Sequence, residues 1–75
     1  MELHEQIDGV QSRADLARFV AALGQDLQDA PDGWENPTLP RFLDAMARWL
    51  EDVERTGTPT WADFAETLFA GRGYE

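Results

Sequence analysis

The sequence predicts an all-α fold: a small bundle of three main helices, at about 12–30, 38–56 and 60–71, with a short helix at about 2–8 in front. Three observations predict it. Apolar residues recur every three or four positions along the chain, and no segment alternates with period two. Ser12, Thr38 and Thr60 each stand directly before such a run, where a side-chain oxygen can satisfy the unpaired N–H groups of a first helical turn. Between the runs lie Pro31 with Gly33 and Gly57 with Pro59, residues that punctuate helices. With 75 residues, no internal repeat and no linker-like tract, residues 1–75 read as a single domain.

In chain order, Leu3, Ile7 and Val10 suggest a short first helix ending near Gly9. Ser12 with Asp15 three residues on resembles a capping box, with Asp in place of the usual Glu or Gln. It opens a helix whose apolar face is Leu16, Phe19, Val20, Leu23 and Leu27, held for three turns. Ala14, Ala17, Ala21 and Gly24 form a second stripe on that helix. Gly24 costs about 1 kcal/mol relative to Ala there, and close approach by a neighbouring helix would explain it. The third helix starts at Thr38, accommodates Pro40 in its first turn, and carries Leu39, Phe42, Leu43, Met46, Trp49, Leu50 and Val53 on one face. Asp44–Arg48 and Glu51–Arg55 are i,i+4 pairs in the favourable order, each worth about 0.2–0.5 kcal/mol. Thr60 and Asp63 open the last helix, whose buried face is Trp61, Phe64, Ala65, Leu68 and Phe69; Gly71 or Gly73 ends it.

So short a chain buries only about 60% of its unfolded surface. Without cysteine it has no disulfide or zinc–thiolate site to reinforce it, and no thiol for catalysis. Most of Trp34, Trp49, Trp61, Phe19, Phe42, Phe64 and Phe69 are therefore expected in the core. A hydrophobic content of 43% places the chain among globular proteins. Asp and Glu number 15 against 6 Lys and Arg, a net charge of −9, which disfavours direct contact with nucleic acid or an anionic membrane. No run reaches the roughly 20 apolar residues of a membrane span. The acidic start Met1-Glu2-Leu3-His4-Glu5 lacks the basic and apolar regions of a signal peptide, so the expected location is the cytoplasm.

The segment Trp34-Glu35-Asn36-Pro37-Thr38-Leu39, followed by Phe42-Leu43-Asp44-Ala45 and Trp49, resembles a family of small bacterial proteins of unknown function with the pattern W-x-N-x-[ST]-L-x-x-F-L-x-A-x-x-x-W. Members also carry a later Trp before the last helix and finish in Tyr-Glu, here Trp61 and Tyr74-Glu75. The likeness extends to the opening, where Ser12, Arg13 and Asp15 lead into Phe19, Leu23 and Asp26-Leu27. It covers nearly the whole chain, which is shorter than many members between the third helix and Trp61. What the resemblance implies is a bacterial origin and a stand-alone domain, with no activity, substrate or catalytic residue attached.

Candidate chemistry is thin. His4-Glu5-Gln6-Ile7-Asp8 echoes the zinc-protease motif H-E-x-x-H, but that site needs two imidazoles a turn apart and a third ligand. This chain has one His, which is then a solvated residue near the N-terminus. A Ser or Thr nucleophile needs a base in hydrogen-bond reach, and His4 is the one ordinary candidate. A carboxylate pair acts as acid and base only where burial drives the two pKa values apart. Every acid here falls at a cap, on a polar face or in a loop. A domain of this size also leaves little room for a cleft of ~300 Å³ or more. The expectation is a non-enzyme with no cofactor, no catalytic residue and no metal ligand.

Acidic placement is the least expected feature. Asp26, Asp29, Asp32 and Glu35 recur every three residues across the end of helix two and the loop beyond it. Glu51, Asp52 and Glu54 crowd the end of helix three. Helix C-termini favour cations by about 0.3–1 kcal/mol per charge, so both ends are charged against the dipole. Trp34 has two readings: an anchor folding the loop onto helix three, with Asn36 fixing the turn before Pro37, or a half-exposed binding hot spot. The function that follows is a protein–protein interaction module binding a basic partner through Asp26, Asp29, Asp32, Trp34, Glu35, Glu51, Asp52 and Glu54, in the style of an immunity protein, antitoxin or inhibitor. Solubility charge accounts for the same acids equally well. Alternatives are a DNA mimic, or a small enzyme or metal-binding protein using surface carboxylates. The chain is expected to be a monomer or weak homodimer, with the Ala/Gly stripe or an exposed Trp as contact.

Overall fold

The computed structural model describes residues 3–53 and 57–74. Among these there is no strand. The helices are α1 (Leu3–Gln6), which runs into a 3₁₀ turn at Ile7–Gly9, α2 (Arg13–Asp29), α3 (Leu39–Asp52) and α4 (Trp61–Gly73). A second 3₁₀ turn, Pro31–Gly33, follows α2. The predicted bundle is thus the observed one. Of the two glycines offered as the end of α4 it is Gly73, past the bound of about 71, and α3 ends at Asp52 with Val53 as its cap. Glu54, Arg55 and the predicted Glu51–Arg55 pair lie outside the described residues.

The caps show why the helices begin where they do. Thr60 Oγ1 accepts from the Asp63 N–H at 3.1 Å, and Asp63 Oδ2 accepts from the Thr60 N–H at 2.8 Å, a reciprocal capping box. Ser12 Oγ accepts from the Asp15 N–H at 3.1 Å, but Asp15 returns its bond to the N–H of Gln11, one residue before the cap. Thr38 occupies the N-cap of α3 without a side-chain bond; Pro40 shapes that first turn instead. On the solvated side Asp44 pairs with Arg48 at 3.2 Å, as the spacing predicts, and Asp15 with Arg18.

α4 is the central element. It packs against α3 on one side and against α2 and the N-terminal turn on the other, while α2 and α3 have almost no direct packing. Small residues permit these approaches: Ala45 on α3 and Ala65 on α4 are fully buried, and Gly71 is buried against the Phe42 ring and Met46 of α3. On the other side Ile7, Val10, Phe19 and Ala65 form the core cluster, with Leu3, Leu16, Ala62, Leu68 and Phe69 against it. Phe19 is 2% exposed, and its burial contributes about 1.5–3 kcal/mol. The start of α2 meets the start of α4 and their ends meet at Asp26 and Arg72, so these two helices run parallel and α3 runs back between them in sequence.

Two expectations are corrected. Not all large apolar side chains are inside: Trp61 and Phe64 are exposed, as are Val20, Leu39, Leu43 and Leu50. A small domain with three helices around one central helix has too little interior for every one of them. Nor does a neighbouring helix approach Gly24, where an added Cβ would meet nothing within 4 Å.

Candidate functional site

The α2–α3 connection is built around Trp34. The 3₁₀ turn at Pro31–Gly33 swings the chain back across the end of α2, and the Trp34 N–H closes it on the Pro31 carbonyl at 3.0 Å. The indole is buried, lying 6.0 Å from the Phe42 ring with 24° between planes. Its Nε1–H donates to Asp26 Oδ2 at 2.8 Å, and Arg72 Nε donates to the same oxygen at 3.0 Å. The Arg72 guanidinium sits 5.8 Å from the centroids of both Trp34 and Phe69, within cation–π range. These donors, Trp34 first and Arg72 second, hold the Asp26 carboxyl below its ordinary value of 3.8 against a partial loss of solvation.

Asn36 completes the attachment. It is 5% exposed; its backbone N–H donates to the Arg72 carbonyl at 3.2 Å and its side-chain amide to the Tyr74 carbonyl at 3.0 Å. The expected side-chain-to-backbone bond exists, but it reaches to the end of α4 rather than to the local turn. Tyr74 in turn packs edge-on to Trp49, with ring centroids 5.3 Å apart, and its hydroxyl donates to Asp52. That bond, followed by desolvation and the Asp52 charge, raises the phenol's pKa.

The predicted partner-binding residues therefore divide. Asp26, half-buried at the edge, holds the buried Trp34 by its indole N–H, so Trp34 is the anchor of the two readings. Asp29, Asp32 and Glu35 are exposed around the loop, with Asp29 accepting from Gln25 Nε2 at 2.9 Å. Glu51 and Asp52 lie in the last turn of α3, and Asp52 is joined back to Asn36 of the loop through Tyr74. Glu54 lies outside the described residues. Sequence reading missed Arg72 and Tyr74 as partners of the loop. The one available signal was a basic residue in the last turn of a helix on an otherwise acidic chain.

The surface carries open concavities. A concavity of about 470 Å³ lies among His4, Asp8, Trp49, Glu66, Phe69 and Tyr74, and a groove of about 320 Å³ separates α2 from the start of α3. Among the described residues, no three His, Asp or Glu side chains converge to hold a metal ion. No described helix is long and apolar enough to cross a membrane.

No curated protein and no solved structure matches the chain. A family model does, over residues 12–75, which takes in α2, α3, α4 and the whole Trp34–Asp26–Arg72 assembly. The chain belongs to DUF7660, a family of unknown function.

Proposed function

We propose that this chain is a non-enzymatic, cytoplasmic interaction module that presents Asp29, Asp32 and Glu35 to a basic patch on a partner protein, as an immunity protein, antitoxin or inhibitor does. One observation carries the reading. These exposed carboxylates flank a backbone pinned from beneath by the buried Trp34 and Asn36. A loop held in place loses little freedom on binding, and its uncompensated charge steers a cationic partner toward it. Glu51 in the last turn of α3 adds to the field of the −9 chain. The test is affinity capture at low and high salt, followed by binding kinetics on the partner recovered. Affinity drops by about tenfold or more between low and physiological-to-high ionic strength, and joint reversal of Asp29, Asp32 and Glu35 to Lys slows association by about tenfold. A partner indifferent to both changes removes the reading. A partner that DNA displaces competitively turns it into the DNA-mimic alternative.

A further inference from the structure

The geometry points to a second interface, an uncharged one, through which two copies of this chain associate. α2 and α3 both lean on α4 and scarcely touch each other, which leaves a groove between them. Its walls are Val20, Gly24 and Leu27 from α2 and Leu39 and Phe42 from α3, with Leu68 of α4 as floor. No charged side chain lines it, on a molecule of net charge −9. The apolar surface continues outward. On a helix of 3.6 residues per turn Leu39, Leu43 and Leu50 fall within about 40° of one another, and Phe64 stands one turn from Leu68 on α4.

The area fits a copy of the same chain. Val20 is 44% exposed, Leu39 68%, Leu43 53%, Leu50 59% and Phe64 55%. With full residue areas of roughly 150–200 Å², these five leave on the order of 500 Å² of apolar surface in water. A standard interface buries about 800 Å² per partner, of which about 65% is apolar between identical subunits, again about 500 Å². A basic helix would find no carboxylate in the groove to pair with, whereas an identical face supplies apolar area of the same extent. An isologous pair also closes on itself and presents no further copy of the face. Gly24, open above its Cα, lets a facing backbone come close without rearrangement.

The two interfaces respond to salt in opposite senses, so either fails without the other. Association of identical −9 chains is opposed by their repulsion, which reaches about 30 Å at 0.01 M salt and about 8 Å at 0.15 M. Sedimentation equilibrium of the wild-type chain from about 5 to about 500 μM, at low and high salt, should show a monomer–dimer equilibrium with the dimer favoured by salt, with dissociation in the micromolar range. Leu43→Glu, at an already exposed position, should weaken it by about 30-fold or more. The Asp29, Asp32 and Glu35 reversals should leave it intact or slightly tighter. A wild-type chain that stays monomeric at the highest concentration and salt overturns the proposal, as does a dimer that Leu43→Glu leaves unchanged while circular dichroism shows a folded variant. Binding of a cationic amphipathic peptide to the groove of a monomeric chain, weakened by salt, overturns it in favour of a different occupant.

Discussion

Replacing Gly71 by Ala adds one methyl group where α3 and α4 cross, and the structure sets the scale of its cost. The new Cβ would stand 2.7 Å from Phe42 Cε1 and 2.8 Å from Met46 Cγ. Ordinary carbon contacts are about 3.5–4.0 Å, so two atoms overlap by roughly 0.7 Å or more. Phe42 cannot simply withdraw, since its ring also stacks on the buried Trp34. Overpacking of this kind costs about 1–3 kcal/mol, and the better helix propensity of Ala returns up to about 1, less in a last turn. The net loss is about 1–2 kcal/mol. Gly24→Ala is the same chemical change in open surroundings and should gain about 0.5–1 kcal/mol. Urea unfolding followed by Trp fluorescence reads both, at about 1 μM chain so that association does not contribute. For a domain of this size each kcal/mol moves Tm by about 4–8 °C. Equal effects from the two substitutions would refute the assigned α3–α4 crossing. Phe42→Leu in the Gly71→Ala background should recover part of the loss, as expected for side chains sharing one space.

The remaining predictions concern single bonds. Asp26→Ala leaves the buried Trp34 Nε1–H without its acceptor and should destabilise by about 1–3 kcal/mol, with Asp26→Asn milder because its oxygen still accepts one bond. Because the folded pKa of Asp26 is depressed, its contribution is complete above the unfolded value near 3.8 and disappears as pH falls through the lower folded value; acid titration of unfolding should show wild type and Asp26→Asn converging below about pH 4. Thr60→Ala should cost about 1 kcal/mol and Thr38→Ala only a few tenths, since only the first makes a cap bond; thermal unfolding separates them. Tyr74 is the only tyrosine, so ultraviolet titration reports it alone: its midpoint should lie above 10.0 and return toward it in Asp52→Asn.

What was legible in the sequence was local. Helix placement follows from a 3.6-residue period and from Ser12 and Thr60, whose oxygens bond three residues away. What was hidden depends on partners distant in the chain. Asp26 finds Arg72 across 46 residues and Asn36 finds Tyr74 across 38, pairings that no spacing rule anticipates. The period also says which residues share a face without saying whether anything covers it. Leu39, Leu43 and Leu50 share a stripe as expected and yet face water. The acidic loop was visible as composition, and its firmness was not, because that resides in Trp34 and Asn36 reaching to the end of α4.

The order of elements has a consequence for how the chain acquires its structure. α2 and α3 leave the ribosome before α4, yet α4 is the main partner of both, and they have almost nothing to offer one another. At about 5–20 residues per second, synthesis of the segment from Ser12 to Gly73 occupies roughly 3–12 seconds. For most of that time the Phe42, Ala45 and Met46 face of α3 has nothing to pack on, and the Phe19 face of α2 has only Ile7 and Val10. Folding is therefore a late, concerted event that waits for one helix, and a nascent chain stalled before residue 61 would meet the cell's chaperones as an unassembled one.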